Sequence, residues 1–88
     1  PQRPGPAALA VYPNPATSIV VVGVEPGRTD RLELRLLDAT GRLVHTVFRG
    51  VPPADGRLFV DIATLPVGVY QLELRSASGR SARTLLKQ

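Results

Sequence analysis

The chain alternates apolar and polar residues with a period of two. In "RLELRLLD", Leu32, Leu34 and Leu36 fall on one side of an extended backbone, with Glu33 and Arg35 on the other. "RLFVDI" groups Leu58, Val60 and Ile62. "VYQLELRS" groups Tyr70, Leu72 and Leu74 against Gln71, Glu73 and Arg75. "GRLVHTVFRG" is expected to turn Val44 and Phe48 inward with Thr46 between them. Successive strand side chains point to opposite faces, so such runs are strands with one face on a core and one in water. No window sustains the 3.6-residue period of a helix.

The punctuation agrees. "DATGR" (Asp38 to Arg42) and "SASGR" (Ser76 to Arg80) each end a polar-start turn on Gly, the residue that accepts positive φ after a type I turn. Their likeness reads as one turn solution used twice rather than as an internal repeat. Strands are expected over 8–12, 18–24, 31–38, 42–49, 57–62, 69–76 and 80–87. Seven short strands in under 90 residues predict an all-β fold, an immunoglobulin-like antiparallel β-sandwich. "VEPGRTD" and "GVPPADG" are long enough to cross between its sheets.

"VYPNPAT" (Val11 to Thr17) sits between two of these runs. Pro13 and Pro15 have no amide donor and cannot continue a ladder, so the first strand should stop at Tyr12. Asn14, held between them, is pushed toward extended geometry and is expected to bond nearby backbone. Tyr12 is expected to pack into the sandwich edge.

With 88 residues there is material for one small domain. Four aromatics and no Trp or Met leave Leu, Val, Ile and Ala to fill the core. The opening "PQRPGPAA" reads as a Pro-rich linker over residues 1–8, leading from an upstream domain into a domain over 9–88. Without Cys there is no disulfide framework or thiolate metal site, and no apolar run is long enough to span a membrane. The formal charge is +4. Nearly all the bases are Arg, scattered along the chain, which reads as a solvated surface and not a nucleic-acid footprint.

Catalytic chemistry finds little footing. His45 is the sole histidine and is expected to face solvent from a strand. The serines lie outside any nucleophile elbow, and no phosphate-binding glycine loop is present. Most of the acids fall at turns or on outward strand positions. The expectation is a binding module, not an enzyme, with no cofactor or metal. Of the four aromatics, Phe59 alone is expected to alternate away from the core.

Four segments in order, "VYPNPAT", "LLDATGRLVHT", "IATLPVGVYQLEL" and a basic last strand, resemble the type IX (Por) secretion system C-terminal sorting domain family over about residues 9–88. The opening motif falls on Tyr12, Pro13, Asn14 and Pro15. The hairpin motif falls on Asp38, Gly41, Arg42 and Val44. The third falls on Leu65, Pro66, Gly68, Val69 and Tyr70, with Gly68 expected at a crowded or positive-φ position and Tyr70 in the core. The tail falls on Arg83, Leu85 and Lys87, with Arg where the family commonly has lysine. The resemblance implies an address tag on a larger exported protein, read by the outer-membrane type IX machinery of Bacteroidetes-type bacteria. It implies passage through the periplasm to the cell surface or beyond, and removal by a sortase-like processing enzyme. Arg83, Leu85 and Lys87, on one face of an open terminal strand, are the expected recognition residues, and the strand's free backbone edge the expected docking surface. The alternative is an accessory carbohydrate-binding or surface-adhesion sandwich, which needs an exposed aromatic platform or a calcium loop. A passive spacer and a nucleic-acid binder rank below it.

Overall fold

A computed structural model describes residues 9–88; the linker expected over 1–8 lies outside the described residues. The strands are β1 (Leu9–Tyr12), β2 (Ile19–Val24), β3 (Leu32–Asp38), β4 (Leu43–Gly50), β5 (Arg57–Asp61), β6 (Gly68–Ser76) and β7 (Gly79–Lys87). They form two antiparallel sheets, ordered β1-β2-β5 and β4-β3-β6-β7. The two loops picked out by length do cross between sheets, from β2 to β3 and from β4 to β5, and a third crossing joins β5 to β6.

Alternation builds the core. Val20, Val22 and Val24 of β2 and Leu58 and Val60 of β5 face Leu32, Leu34 and Leu36 of β3 and Leu72 and Leu74 of β6, all of them buried. Tyr70 is the sole aromatic in this buried set. The chain thus relies on branched aliphatic packing, where each fully buried side chain contributes about 1.5–3 kcal/mol.

Two turns set the register. In "DATGR" the Gly41 N–H donates to the Asp38 carbonyl at 2.9 Å, and Gly41 has φ 87°, the left-handed geometry that Gly tolerates best. Asp38 Oδ1 accepts from the Thr40 hydroxyl at 2.6 Å and from the Thr40 and Arg42 N–H groups at 2.9 and 3.0 Å. The Thr40 hydroxyl, then the Arg42 amide, hold the carboxyl below its ordinary pKa. At the β4–β5 crossing, Gly56 combines φ 74° with a backbone so close to Val24 that a Cβ would stand 2.3 Å from its carbonyl oxygen.

The third motif resolves into a tyrosine corner. Tyr70 lies near the start of β6, just after the β5–β6 crossing, and its hydroxyl donates to the Pro66 carbonyl at 2.7 Å. Immunoglobulin-like sandwiches use this device at the same place. Leu65 packs partly against the core beside it. Gly68 is neither crowded nor left-handed: nothing lies within 4 Å of a Cβ added there. The turn before it ends early enough for Gly68 to open β6 in ordinary extended geometry.

Two side chains point the other way from expectation. Phe48 comes inward opposite Leu34, but Val44 is 41% exposed. The β3–β4 register slips twice, so Val47 and Val44 are extra residues that no β3 residue faces. Tyr12 is 47% exposed, because alternation in β1 gives the inward places to Leu9 and Val11. Its ring lies over Gly23, and in register it forms an outer row Tyr12–Val21–Phe59. Phe59 faces outward as expected, at 68% exposure.

Tyr70→Ala should cost about 3–5 kcal/mol in chemical denaturation, and Tyr70→Phe, which keeps the ring, about 1 kcal/mol. Asp38→Ala should lower Tm at neutral pH. A depressed folded-state pKa stabilises above the ordinary aspartate value and is lost as pH falls through the folded one. The gap between variant and wild type should therefore narrow in acid, as followed by melting at stepped pH.

Candidate functional site

The "YPNP" corner ends β1 at Tyr12 as its prolines require, and both of its X–Pro bonds are cis. Asn14 does not bond nearby backbone. Its amide spans the whole chain to the last strand, where Nδ2 donates to the Thr84 carbonyl at 2.7 Å and Oδ1 accepts the Leu86 N–H at 2.9 Å. One donor and one acceptor in a plane let the side chain imitate a strand residue. The main chain continues the pairing: Ala16 N–H donates to Leu86 at 2.9 Å and Gln88 N–H to Ala16 at 2.8 Å, around a parallel bridge between Ala16 and Lys87.

This geometry revises the expected tail. Arg83, Leu85 and Lys87 do share one side of β7, but it is the inner side. Leu85 is fully buried, and Lys87 is only 8% exposed, its Nζ donating to the Gln88 carbonyl at 3.0 Å. Arg83, nearer the strand's open end, stays exposed and caps the Ala82 carbonyl at 3.1 Å. Over residues 84–88 the edge is not open, since the corner occupies it. What β7 shows outward there is Thr84 and Leu86. Leu86 is 40% exposed and pairs with the exposed Val69, with exposed Val67 just upstream. Alternation alone places Leu86 on the face opposite Leu85.

The four motifs come together at one end of the four-stranded sheet. Asp38 pairs with Tyr70, Tyr70 with Leu85, and Gly68 with Lys87, which bridges to Ala16 beside the corner. Gly41 and Arg42 close the hairpin that brings Asp38 there. Asp38, Gly41, Leu65, Pro66 and Tyr70 build the fold at this end. Pro13, Asn14, Pro15, Val69 and Leu86 form its exposed surface, with Arg83 on the same strand as Leu86.

The arginines are less scattered than their sequence positions. Strand register lines up Arg49, Glu33, Arg75 and Arg80 across the outer face of the four-stranded sheet, with Arg35 and Glu73 in the next row. Arg49–Glu33, Arg35–Glu73 and Arg80–Glu73 form ion pairs at 3.0, 3.4 and 3.6 Å. Arg35 and Glu73 are partly buried, and surface pairs such as Arg49–Glu33 contribute about 0–1 kcal/mol each. His45 is exposed. Among the described residues no three acids or histidines gather as metal ligands, and no helix is long and apolar enough to cross a membrane.

Asn14→Ala removes two hydrogen bonds, each with a net contribution of about 0.5–1.5 kcal/mol, and should destabilise by about 1–3 kcal/mol. Asn14→Asp, which turns the donor facing the Thr84 carbonyl into an acceptor, should do no better. A loss under about 0.5 kcal/mol for both, by urea denaturation, would contradict the clamp.

Comparison with known proteins agrees with this architecture. No curated protein matches the chain. A solved structure described as a DUF3244-family protein with an immunoglobulin-like β-sandwich fold, from Bacteroides vulgatus, superposes with a TM-score of 0.72 at 18% identity, over 91% of this chain and 83% of that one. At that identity the likeness establishes the fold. The family model for the secretion system C-terminal sorting domain matches residues 10–88, and takes in all four motifs. The chain therefore belongs to the secretion system C-terminal sorting domain family, the sorting domains of type IX secretion.

Proposed function

We propose that residues 9–88 are the address tag of a larger exported protein whose upstream domain is the cargo. The outer-membrane type IX machinery recognises the folded tag in the periplasm and carries the protein to the cell surface or the medium, where a sortase-like enzyme removes the tag. The domain works as a binding module. One observation carries the reading: the opening corner and the tail, at opposite ends of the chain, form one clamped surface.

That surface narrows the recognition residues. Leu85 is inside the folded domain and acts by holding β7, and Lys87 does the same through its buried stem. Arg83 and Leu86 are the tail side chains a receptor can touch, with Val69 and the corner prolines beside Leu86. An exposed apolar spot on one face of β7 and a base on the other fit a receptor that contacts both faces of the strand, apolar at Leu86 and acidic at Arg83, in which truncating a central contact costs most.

The test is a reporter fused upstream of residues 1–88 in a bacterium carrying the type IX system. Arg83→Glu with Leu86→Glu should stay folded, since exposed substitutions usually change stability by only about 0.5 kcal/mol, yet leave the reporter in the periplasm. Lys87→Glu should instead lower Tm. Normal export of the folded double variant would overturn the assignment of these residues.

A further inference from the structure

The two sheets are unequal. The four-stranded sheet has one strand more than the sheet it faces, and the excess falls at β4. The inward residues of β3 are fully covered, whereas Val47 and Phe48 of β4 are only half-buried. The three-stranded sheet ends at β5, so the place beside β5 and over β4 is vacant of any strand among the described residues.

The β5 edge is also the least protected one. The β7 edge is clamped by the corner, β4 is irregular at two register slips, and β1 has four residues. Such devices blunt edges against strand addition. β5 pairs with β2 in unbroken register. The bonds Ile62 N–H to Ser18 and Val24 N–H to Gly56 assign the even-numbered residues of this segment to β2. In an antiparallel ladder the odd ones then aim their N–H and C=O groups outward. Phe59 thus presents both groups at the edge, Asp61 likewise, and Arg57 its carbonyl, its N–H being held by Asp55 Oδ1 at 3.0 Å.

We propose that this edge is a docking slot for an extended segment of a partner polypeptide, added antiparallel to β5 as a fourth strand. The side chains define its chemistry. Arg57 and Asp61 flank Phe59 on the outer face, and neither is in an ion pair among the described residues. An antiparallel partner places a base opposite Asp61, a β-branched residue opposite Phe59 and an acid opposite Arg57. Its two intervening residues, opposite Val60 and Leu58, are apolar and cover Phe48 and Val47. Read from its N-terminus, the segment is base, apolar, β-branched, apolar, acid. A folded second copy does not fit, because pairing β5 with β5 would drive β3 and β4 of the copy into β4.

The probe is the peptide acetyl-Ser-Lys-Val-Val-Val-Glu-Ser-amide, with the charge-swapped acetyl-Ser-Glu-Val-Val-Val-Lys-Ser-amide as control, titrated into the 88-residue protein by amide NMR. The first should shift and protect the Phe59 and Asp61 amides, and bind about tenfold or more tightly than the second, one charge-pair discrimination or better. In the double variant Arg57→Asp with Asp61→Arg the preference should invert. That variant loses the Asp61 Oδ1 bond to Ala63 N–H, so Asp61→Asn serves as the folded control that keeps an acceptor there. Equal binding of both peptides, shifts away from β5, or a concentration-dependent dimer that protects Phe59 without peptide would each overturn the proposal.

Discussion

The structure depends on a side-chain amide acting as a strand residue. β7 is the last element of a thin sandwich and has only β6 as a full strand partner. Unsupported, its far edge would present open backbone groups. Asn14 satisfies two of them and Ala16 two more, and the bond from Asn14 joins residues seventy positions apart. The prolines on either side of Asn14 explain why a side chain does this work: their backbones offer no donor, so the carboxamide supplies both a donor and an acceptor. The corner thereby ties the first strand of one sheet to the last strand of the other.

Everything at that end is built around the clamp. Tyr70 spans from the core to the Pro66 carbonyl and fixes the β5–β6 crossing, which positions β6 for β7. Asp38 closes the neighbouring hairpin through three bonds to one carboxylate oxygen. The family motifs are therefore chiefly joints, and the side chains on view at this end are those that the joints leave exposed. The base expected to be read at Lys87 is mostly such a joint, while Leu86 is on view.

The strands were legible because each carries its own period. β3, expected over 31–38, runs Leu32–Asp38, and β6 and β7 differ from expectation at their starts by a single residue. What local pattern does not carry is register. Val44 stands outward because the slip at Val47 lies between it and Phe48 and reverses the alternation, and Val44 is itself the extra residue of the second slip. The row Arg49–Glu33–Arg75–Arg80 needs three strand pairings before it exists. Tyr12 stands outward by parity, since Leu9 and Val11 take the inward places of β1. Asn14 is the hardest case, since an amide between prolines bonds near or distant backbone equally well and only the fold chooses.

Amide hydrogen exchange tests the clamp most directly. The Leu86 N–H is held by Asn14 Oδ1, while the Ala82 N–H faces the same edge beyond the reach of the corner. If the corner clamps β7, the Leu86 amide should exchange about 100-fold or more slowly than that of Ala82, near the rate set by global unfolding. Equal, fast exchange at both positions would show an open terminal edge and contradict the account.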